Sequence, residues 1–422
     1  MKPHADQADY NPFETRDFRF SEFEELRAGC PVARSATGGW VVSHHDDIRT
    51  VAMDTDHFLN ENGGRLDGVV VAEEDRFTFE LDPPRHSWIR NAIKQAITPA
   101  SMRTAAPFIV ETTERLIDDF VARAGGDIVA GVTKVLPGHV MAHFLHLPTA
   151  DVPRIIAWID DMIDSGFFVS NRTEHGEGMR DGLPELTGYI RRCLSDRISQ
   201  DPADDDVIAN LMAADIDGRK LTEGELTSTL ISMIAGASDT SADLLSFLTF
   251  RLAEDRARFE RLRSDRSLVQ AFVREVLRID SPALLTARTV AVDTEVAGQQ
   301  VKAGEKVLLL WGSGNRDPEV FPEPDQVKLD RHEAPRSLAF GHGRHLCVGA
   351  ALARLEGSIF VNTILDKVEH LEFDGPPPLR TLVGITASYP EIKLNVSARR
   401  AGADQVAGSS QSKDLSDEEL LS

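Results

Sequence analysis

The segment Phe340-Gly341-His342-Gly343-Arg344-His345-Leu346-Cys347-Val348-Gly349-Ala350-Ala351-Leu352-Ala353-Arg354-Leu355-Glu356 changes character in its middle. Glycines at 341, 343 and 349 free the backbone for a tight loop that can lie close to a flat ligand. The alanine-rich run from Ala350 favours helix. Cys347 thus stands just ahead of a helix N-terminus, where the dipole and free N–H groups favour thiolate over thiol, the form in which cysteine binds a metal. Three blander readings compete. A lone cysteine is first of all a small buried hydrophobe. His342, His345 and Cys347 are zinc-ligand types, but structural zinc takes four ligands, usually in two separated pairs, and the chain has no second pair. Gly341-x-Gly343 begins a dinucleotide fingerprint, yet position 346 is leucine and no strand-then-helix unit surrounds it.

The segment resembles the haem-binding signature of the cytochrome P450 superfamily, Phe-x-x-Gly-x-x-x-Cys-x-Gly continuing to Ala and Glu. The resemblance implies a mainly α fold with small β-sheets (α+β), with haem (heme b) enclosed between a long central helix and the cysteine loop. It makes Cys347 the axial iron ligand, with Phe340 and Gly341 beside it. Such a thiolate pushes electron density that favours O–O cleavage.

Other segments match the family in the same order. Glu275-x-x-Arg278 sets two side chains on one helix face, which by pattern alone is an ordinary helix ion pair. In the family the pair joins an arginine shortly before the cysteine loop, which Arg331 matches, and the three brace the core without doing chemistry. His86 and Arg90 lie one helical turn apart, a basic face on the plain reading. By resemblance they hold the haem propionates together with Arg288 and His345. Buried carboxylates need such partners.

The fourth match is inside a helix. Thr222-Glu223-Gly224-Glu225 is a capping box, and the apolar, proline-free run from 226 to about 252 predicts a long buried helix. In its middle stand Ala235-Gly236-Ala237-Ser238-Asp239-Thr240-Ser241. A hydroxyl bonded back to the preceding turn, near a glycine, can open the helix groove. The stretch resembles the family's oxygen-activation segment, which makes Asp239 and Thr240 the proton-delivery pair. Ala237 stands where the family usually has glycine.

Elsewhere, Trp40-Val41-Val42 reads as a strand and 46–53 as a helix. Asp82-Pro83-Pro84 reads as a helix start with Asp82 as its cap. Residues 85–220 are helical in pattern, broken by a polar, glycine-containing segment at 166–182 that is expected to act as a mobile lid. Strands return over 289–311 and 381–396. With Asn11-Pro12-Phe13 also typical of the family's start, residues 1–397 are expected to form a single cytochrome P450 domain and 398–422 a disordered acidic tail.

Of the 422 residues, 41% are hydrophobic and 27% charged, a globular balance. The net charge of −22 disfavours nucleic acid and anionic membranes as partners. No apolar run is long enough to span a bilayer, and the start lacks the apolar core of a signal peptide, so a cytoplasmic location is expected. Three widely spaced cysteines make neither a disulfide framework nor an all-cysteine iron–sulfur cluster.

The implied activity is insertion of one oxygen atom from O2 into a small, mostly apolar organic substrate. No flavin or ferredoxin module remains in the chain, so electrons are expected from a separate ferredoxin and NAD(P)H-dependent reductase. Arg85, Lys94, Arg103, Arg344 and Arg354 are the expected basic face for that donor. By resemblance the substrate pocket takes in Phe77, Phe79, Phe167, Phe168, Ala235, Leu284, Leu285 and Ile385, each of which equally reads as core. Two alternatives stay open: an oxidase that couples or desaturates without inserting oxygen, and a non-catalytic haem-thiolate sensor. An intact Asp239–Thr240 pair speaks against the second.

Overall fold

The structure, a computed structural model, describes residues 11, 16–30, 32–36, 38–61, 70–167, 172–198 and 206–399. Phe168, Pro12, Phe13 and the acidic tail beyond Arg399 lie outside the described residues. Helices α1 (Arg85–Ala96), α2 (Pro99–Ala122), α3 (Val135–Phe144), α4 (Val152–Asp164), α5 (Glu223–Glu254), α6 (Val269–Asp280) and α7 (Ala350–Lys367) carry the architecture. A five-stranded sheet of β1 (Val32–Arg34), β2 (Trp40–Val42), β3 (Phe58–Leu59), β4 (Thr286–Val290) and β5 (Lys306–Leu309) lies to one side, in the order β1-β2-β5-β4-β3. β5 pairs parallel with β2 and antiparallel with β4. The hairpin β6 (Arg380–Val383) and β7 (Thr386–Ser388) continues a smaller sheet begun by Arg16–Phe18. The expected strand pair over 381–396 is therefore split: Lys393–Ala398 pairs instead with Val368–Phe373.

α5 is the axis of the helical part. The capping box forms as its sequence predicts: Glu225 N–H donates to Thr222 Oγ1 (3.2 Å), and Thr222 N–H to the Glu225 carboxylate (2.9 Å). The 32-residue helix spans about 48 Å and is buried over most of its faces. It packs against α3, α6 and α7, so residues from every side of it reach either core or cavity. Among the described residues, no helix is long and apolar enough to cross a membrane.

Two local expectations are corrected. Asp82 does not cap α1: its carboxylate turns to the Glu61 N–H (2.8 Å) and to Asn60, and no side-chain hydrogen bond closes the helix start. The described part of 166–182 is not bare loop either. It contains the hairpin Arg172–Thr173 and Gly176–Glu177 and the short helix Gly178–Gly182, and Arg180 grips the Asp75 carboxylate through two nitrogens (2.8 and 2.7 Å).

The expected three-residue brace forms. Glu275 and Arg278 are fully buried on α6 and joined through both carboxylate oxygens (2.8 and 2.7 Å). Arg331 Nε donates to the same carboxylate at 2.8 Å, and the Lys328 N–H at 3.1 Å. Arg278 also donates to the carbonyls of Asn315 and Pro324. Desolvation pushes the Glu275 carboxyl up, but the hydrogen bonds and charge of Arg278, with Arg331, hold it below the usual carboxylate range. Its stabilising contribution is therefore complete at neutral pH and is lost as pH falls through that depressed value. Glu275→Gln, which keeps the shape and strands two guanidinium groups, should lower the denaturant stability of the holoprotein at neutral pH by about 3–5 kcal/mol. A change under 1 kcal/mol, on the order of an exposed pair, would refute the brace.

Candidate functional site

A cavity of about 390 Å³ lies between the middle of α5 and the loop leading into α7. Its α5 wall is Ala235, Gly236, Asp239, Thr240 and Ser241; the facing wall is Phe340, Gly341, His345 and Cys347. The loop is shaped by its glycines: Gly341 and Gly343 have φ of +75° and +76°, a region that L side chains disfavour. The Gly341 N–H donates to Leu338 O and the Cys347 N–H to Phe340 O, both at 2.9 Å, folding the cysteine back beneath the phenylalanine. Asn315 fixes the loop entrance, accepting from the Leu338 N–H (2.6 Å) and donating to Ser281 Oγ at the end of α6 (2.8 Å). The buried brace is thereby wired to the cysteine loop.

Cys347 opens onto the cavity and is otherwise enclosed. Burial pushes its thiol up, opposed by the Gly349 N–H and by Arg90 and Arg354. The helix-end preference for thiolate is present but is outweighed until a cation binds.

At one edge, nitrogen donors gather without anions. The His86 and His345 rings lie 3.9 Å apart, and His86 Nδ1 and His345 Nε2 are buried with no hydrogen-bond partner. Burial, reinforced by Arg90 and Arg344, lowers the His86 pKa to about 4; burial, His86 and Arg288 lower that of His345 further. Desolvation also lowers buried Arg288, to about 10, with only Asp82 acting against it. Arg288 donates to the Ala287 carbonyl (2.8 Å) and Arg90 to the Leu346 carbonyl (2.7 Å). Among the described residues neither arginine has an ion pair. Buried polar atoms left unpaired are costly, and this cluster is built to receive an anionic ligand. A soft sulfur donor, a glycine loop that admits a flat ring and a donor cluster for two carboxylates together fit a haem.

Across the cavity, the Thr240 hydroxyl donates to the Gly236 carbonyl at 2.6 Å, the back-bond its sequence context predicts. Burial pushes the Asp239 carboxyl up to about 6 against the pull of Lys134, with Asp160 and Asp164 adding to the rise. Lys134 is itself bonded to Asp160 (2.8 Å), on the outer side of α3 and α4. Burial thus moves Asp239 toward the working pH that a group passing protons needs.

Of the residues expected around the substrate, Phe79, Ala235, Leu285 and Ile385 line the cavity. Phe77, Phe167 and Leu284 do not. Phe77 stacks under Phe79 (5.2 Å) and meets Phe167 edge-on (5.9 Å), so both back the wall. Leu284 fills the space beside Gly312 and Phe23. Arg85 is likewise no member of a free basic face: it donates to Glu225 (3.0 Å) and Glu73 (2.5 Å). Sequence reasoning missed Ser232, Thr286 and Trp311, which line the cavity, and Glu356. That carboxyl is fully buried beside Ser241 and pushed up to about 8 by desolvation. Its signals were an acid in an apolar helix and its place as the last residue of the cysteine signature.

Comparison with known proteins agrees with this geometry. A family model described as cytochrome P450 matches residues 35–396. The chain is 31% identical over 366 residues to cyclomarin C epoxidase of Salinispora arenicola, covering 84% of this chain and 89% of that one. It resembles the structure of a cytochrome P450 from Chondromyces apiculatus with a TM-score of 0.81 at 27% identity, covering 90% and 95% of the two chains. It also resembles one from Bacillus megaterium in complex with testosterone, with a TM-score of 0.77 at 28% identity, covering 92% and 99%.

The two loop glycines differ in a way that can be measured. A Cβ at Gly343 would lie 2.9 Å from Ala52 O and 3.1 Å from Met53 Sδ, in addition to its positive φ. One at Gly349 would meet only Cys347 Sγ, at 3.9 Å. Gly343→Ala should lower denaturant stability by about 1–3 kcal/mol, and Gly349→Ala by less than half as much. Equal effects would count against the loop geometry.

Proposed function

Because the chain belongs to the cytochrome P450 family, a class of haem-thiolate monooxygenases, we propose that it inserts one oxygen atom of O2 into a medium-sized, mostly apolar organic molecule. Electrons come from a separate ferredoxin and an NAD(P)H-dependent reductase. The observation that carries the reading is the juxtaposition in one cavity of Cys347, the unpaired imidazole nitrogens of His86 and His345 beside the buried charge of Arg288, and the Asp239–Thr240 pair. When bound, the haem supplies the one-electron and O2 chemistry that side chains lack.

The protein's residues divide the remaining work. Cys347 Sγ would ligate the haem iron; a thiol that coordinates a metal loses its proton outright, which would offset the enclosure that otherwise keeps it neutral. His86, Arg90, Arg288 and His345 would hold the propionates. An anion beside the two imidazoles would oppose the burial and the neighbouring arginine charges that depress them. The back-bond of Thr240 keeps Oγ1 at the helix groove with its lone pairs free, so it can take a proton at that atom and pass it into the cavity. Asp239, near its own pKa, resupplies it. Phe79, Leu285 and Ile385 exclude water and orient the substrate, while Thr286, whose Oγ1 accepts from Trp311 Nε1 (3.1 Å), can turn its O–H to a polar substituent.

The likeness to the testosterone-bound protein and to the cyclomarin epoxidase makes a polycyclic or macrocyclic substrate of secondary metabolism the favoured class. Testosterone is the first probe: binding should shift the haem Soret band, and turnover with a surrogate ferredoxin and reductase should yield product gaining one oxygen atom. Products that lose hydrogen or couple without gaining oxygen would replace the monooxygenase reading with the oxidase one. Cys347→Ala should abolish the thiolate-specific absorption of the reduced carbon monoxide complex; its persistence would remove Cys347 as ligand. Thr240→Ala should retain haem and ligand binding yet cut product per NAD(P)H about tenfold or more, with the balance appearing as hydrogen peroxide. Unchanged coupling would exclude Thr240 from proton delivery.

A further inference from the structure

One helical turn beyond Asp239, α5 carries another acid, Asp243, which is nearly fully buried and does not line the cavity. Its Oδ2 accepts a hydrogen bond from Ser388 Oγ on β7 (3.0 Å). Four groups face it: Asp239 on its own helix, Lys134 at the start of α3, Arg380 on β6 and Ser388. Both cations are committed elsewhere. Arg380 is bonded to Asp280 at 2.5 Å and Lys134 to Asp160 at 2.8 Å. Among the described residues Asp243 has no ion pair, and an unpaired buried carboxyl keeps its proton rather than remain charged.

We propose that Asp243 is the second acid of a two-carboxyl proton store on α5, a positioning residue that keeps a proton available to Asp239. The inference rests on the reading of Asp239 as the acid that feeds the cavity. Residues four apart on a helix have Cβ atoms about 5–6 Å from each other, a gap that the carboxyl groups or one water can close. When Asp239 has given its proton to the cavity, the O–H bond of Asp243 breaks and its proton passes to the Asp239 carboxylate. Asp243 is left as a carboxylate held by the Ser388 hydroxyl. The Ser388 residue is only half-buried, so its hydroxyl can relay the returning proton from solvent. No electrons move.

Burial, with Asp239 beside it, raises Asp243 well above the usual carboxylate range despite Ser388, Arg380 and Lys134. The two acids titrate as one pair, and burial keeps a proton on that pair above the pH at which Asp239 alone would ionise. A purely structural Asp243 would tie α5 to β7 through Ser388 and do no more, and asparagine can make that bond equally well.

The test uses the holoenzyme and no substrate. Infrared titration should show carboxylic-acid carbonyl bands that persist toward neutral pH, that of Glu356 among them. Asp243→Asn should delete one of these bands, and Asp239→Asn should leave that band but lower its midpoint by removing a like charge, with the Glu356 band present in both variants. In parallel, reoxidation of the dithionite-reduced protein by air is followed at the Soret band across pH. Above the Asp239 pKa the wild-type rate should hold level, whereas in Asp243→Asn it should fall about tenfold per pH unit. No band lost in Asp243→Asn, or a band lost with the rate profile unmoved, overturns the store. A wild-type profile in Asp239→Asn overturns the role of Asp239 instead, and the infrared arm still reports on Asp243. Should Asp243→Asn not accumulate as holoenzyme, Ser388→Ala replaces it. Loss of the hydroxyl should raise the midpoint of the Asp243 band and slow reoxidation above the Asp239 pKa, and no change in either overturns the proposal.

Discussion

One carboxylate shared between two guanidinium groups holds the site together. Glu275 receives Arg278 from its own helix and Arg331 from the segment that becomes the cysteine loop. None of the three charges is tolerable at that depth alone, so each is fixed by the others. The arrangement extends outward through neutral groups. Arg278 holds the Asn315 carbonyl, the Asn315 side chain holds Ser281 and the Leu338 N–H, and Leu338 O receives the Gly341 N–H. Three links in series, with Ser281 as a side anchor, thus carry the position of a buried ion cluster to the wall that presents Cys347.

The opposite wall works under the reverse constraint. α5 crosses the core, so its surface is mostly apolar, yet its middle carries Ser238, Asp239, Thr240, Ser241 and Asp243. Such residues lower the stability of a buried helix, and here they are only partly compensated: Thr240 bonds its own backbone, Ser238 Oγ is unpaired, and the acids are pushed toward neutrality. On the proposed role of Asp239 and Thr240 in proton delivery, stability is conceded where protons must move, and the ion cluster on the far side supplies rigidity in its place.

The sequence made these features legible in unequal measure. The cysteine loop, the capping box at Thr222, the Glu275–Arg278 pair and the Asp239–Thr240 pair are local patterns, whose spacing alone determines which side chains share a face or a turn. What failed depends on distant register. Phe77 and Phe79 are two residues apart in one short segment, and only the packing of Phe167 decides which of them faces the cavity. Leu284 and Leu285 share one apolar cluster, and only Leu285 also reaches the cavity. Arg85 looked like a free cation because Glu73 and Glu225, which claim it, come from a loop and from the start of α5. Asp82 has the composition of a cap but is taken by Glu61, a partner that no local rule selects. The acids at 243 and 356 were visible as charges in apolar helices, but that neither has an ion pair among the described residues could be seen only in three dimensions.

The loop's closest backbone neighbour has a consequence for the order in which the molecule assembles. Gly343 lies against Ala52, and Arg49 Nε reaches His342 Nε2 (3.4 Å) across 293 residues of chain. The cradle around Cys347 is therefore a non-local structure whose two halves are made far apart in time. Closing so long a loop is entropically expensive and slow, so the helix His45–Met53 must wait, folded or not, for the segment around Gly343. The cofactor pocket cannot close before these two segments meet, and a ligand held by both must follow that meeting.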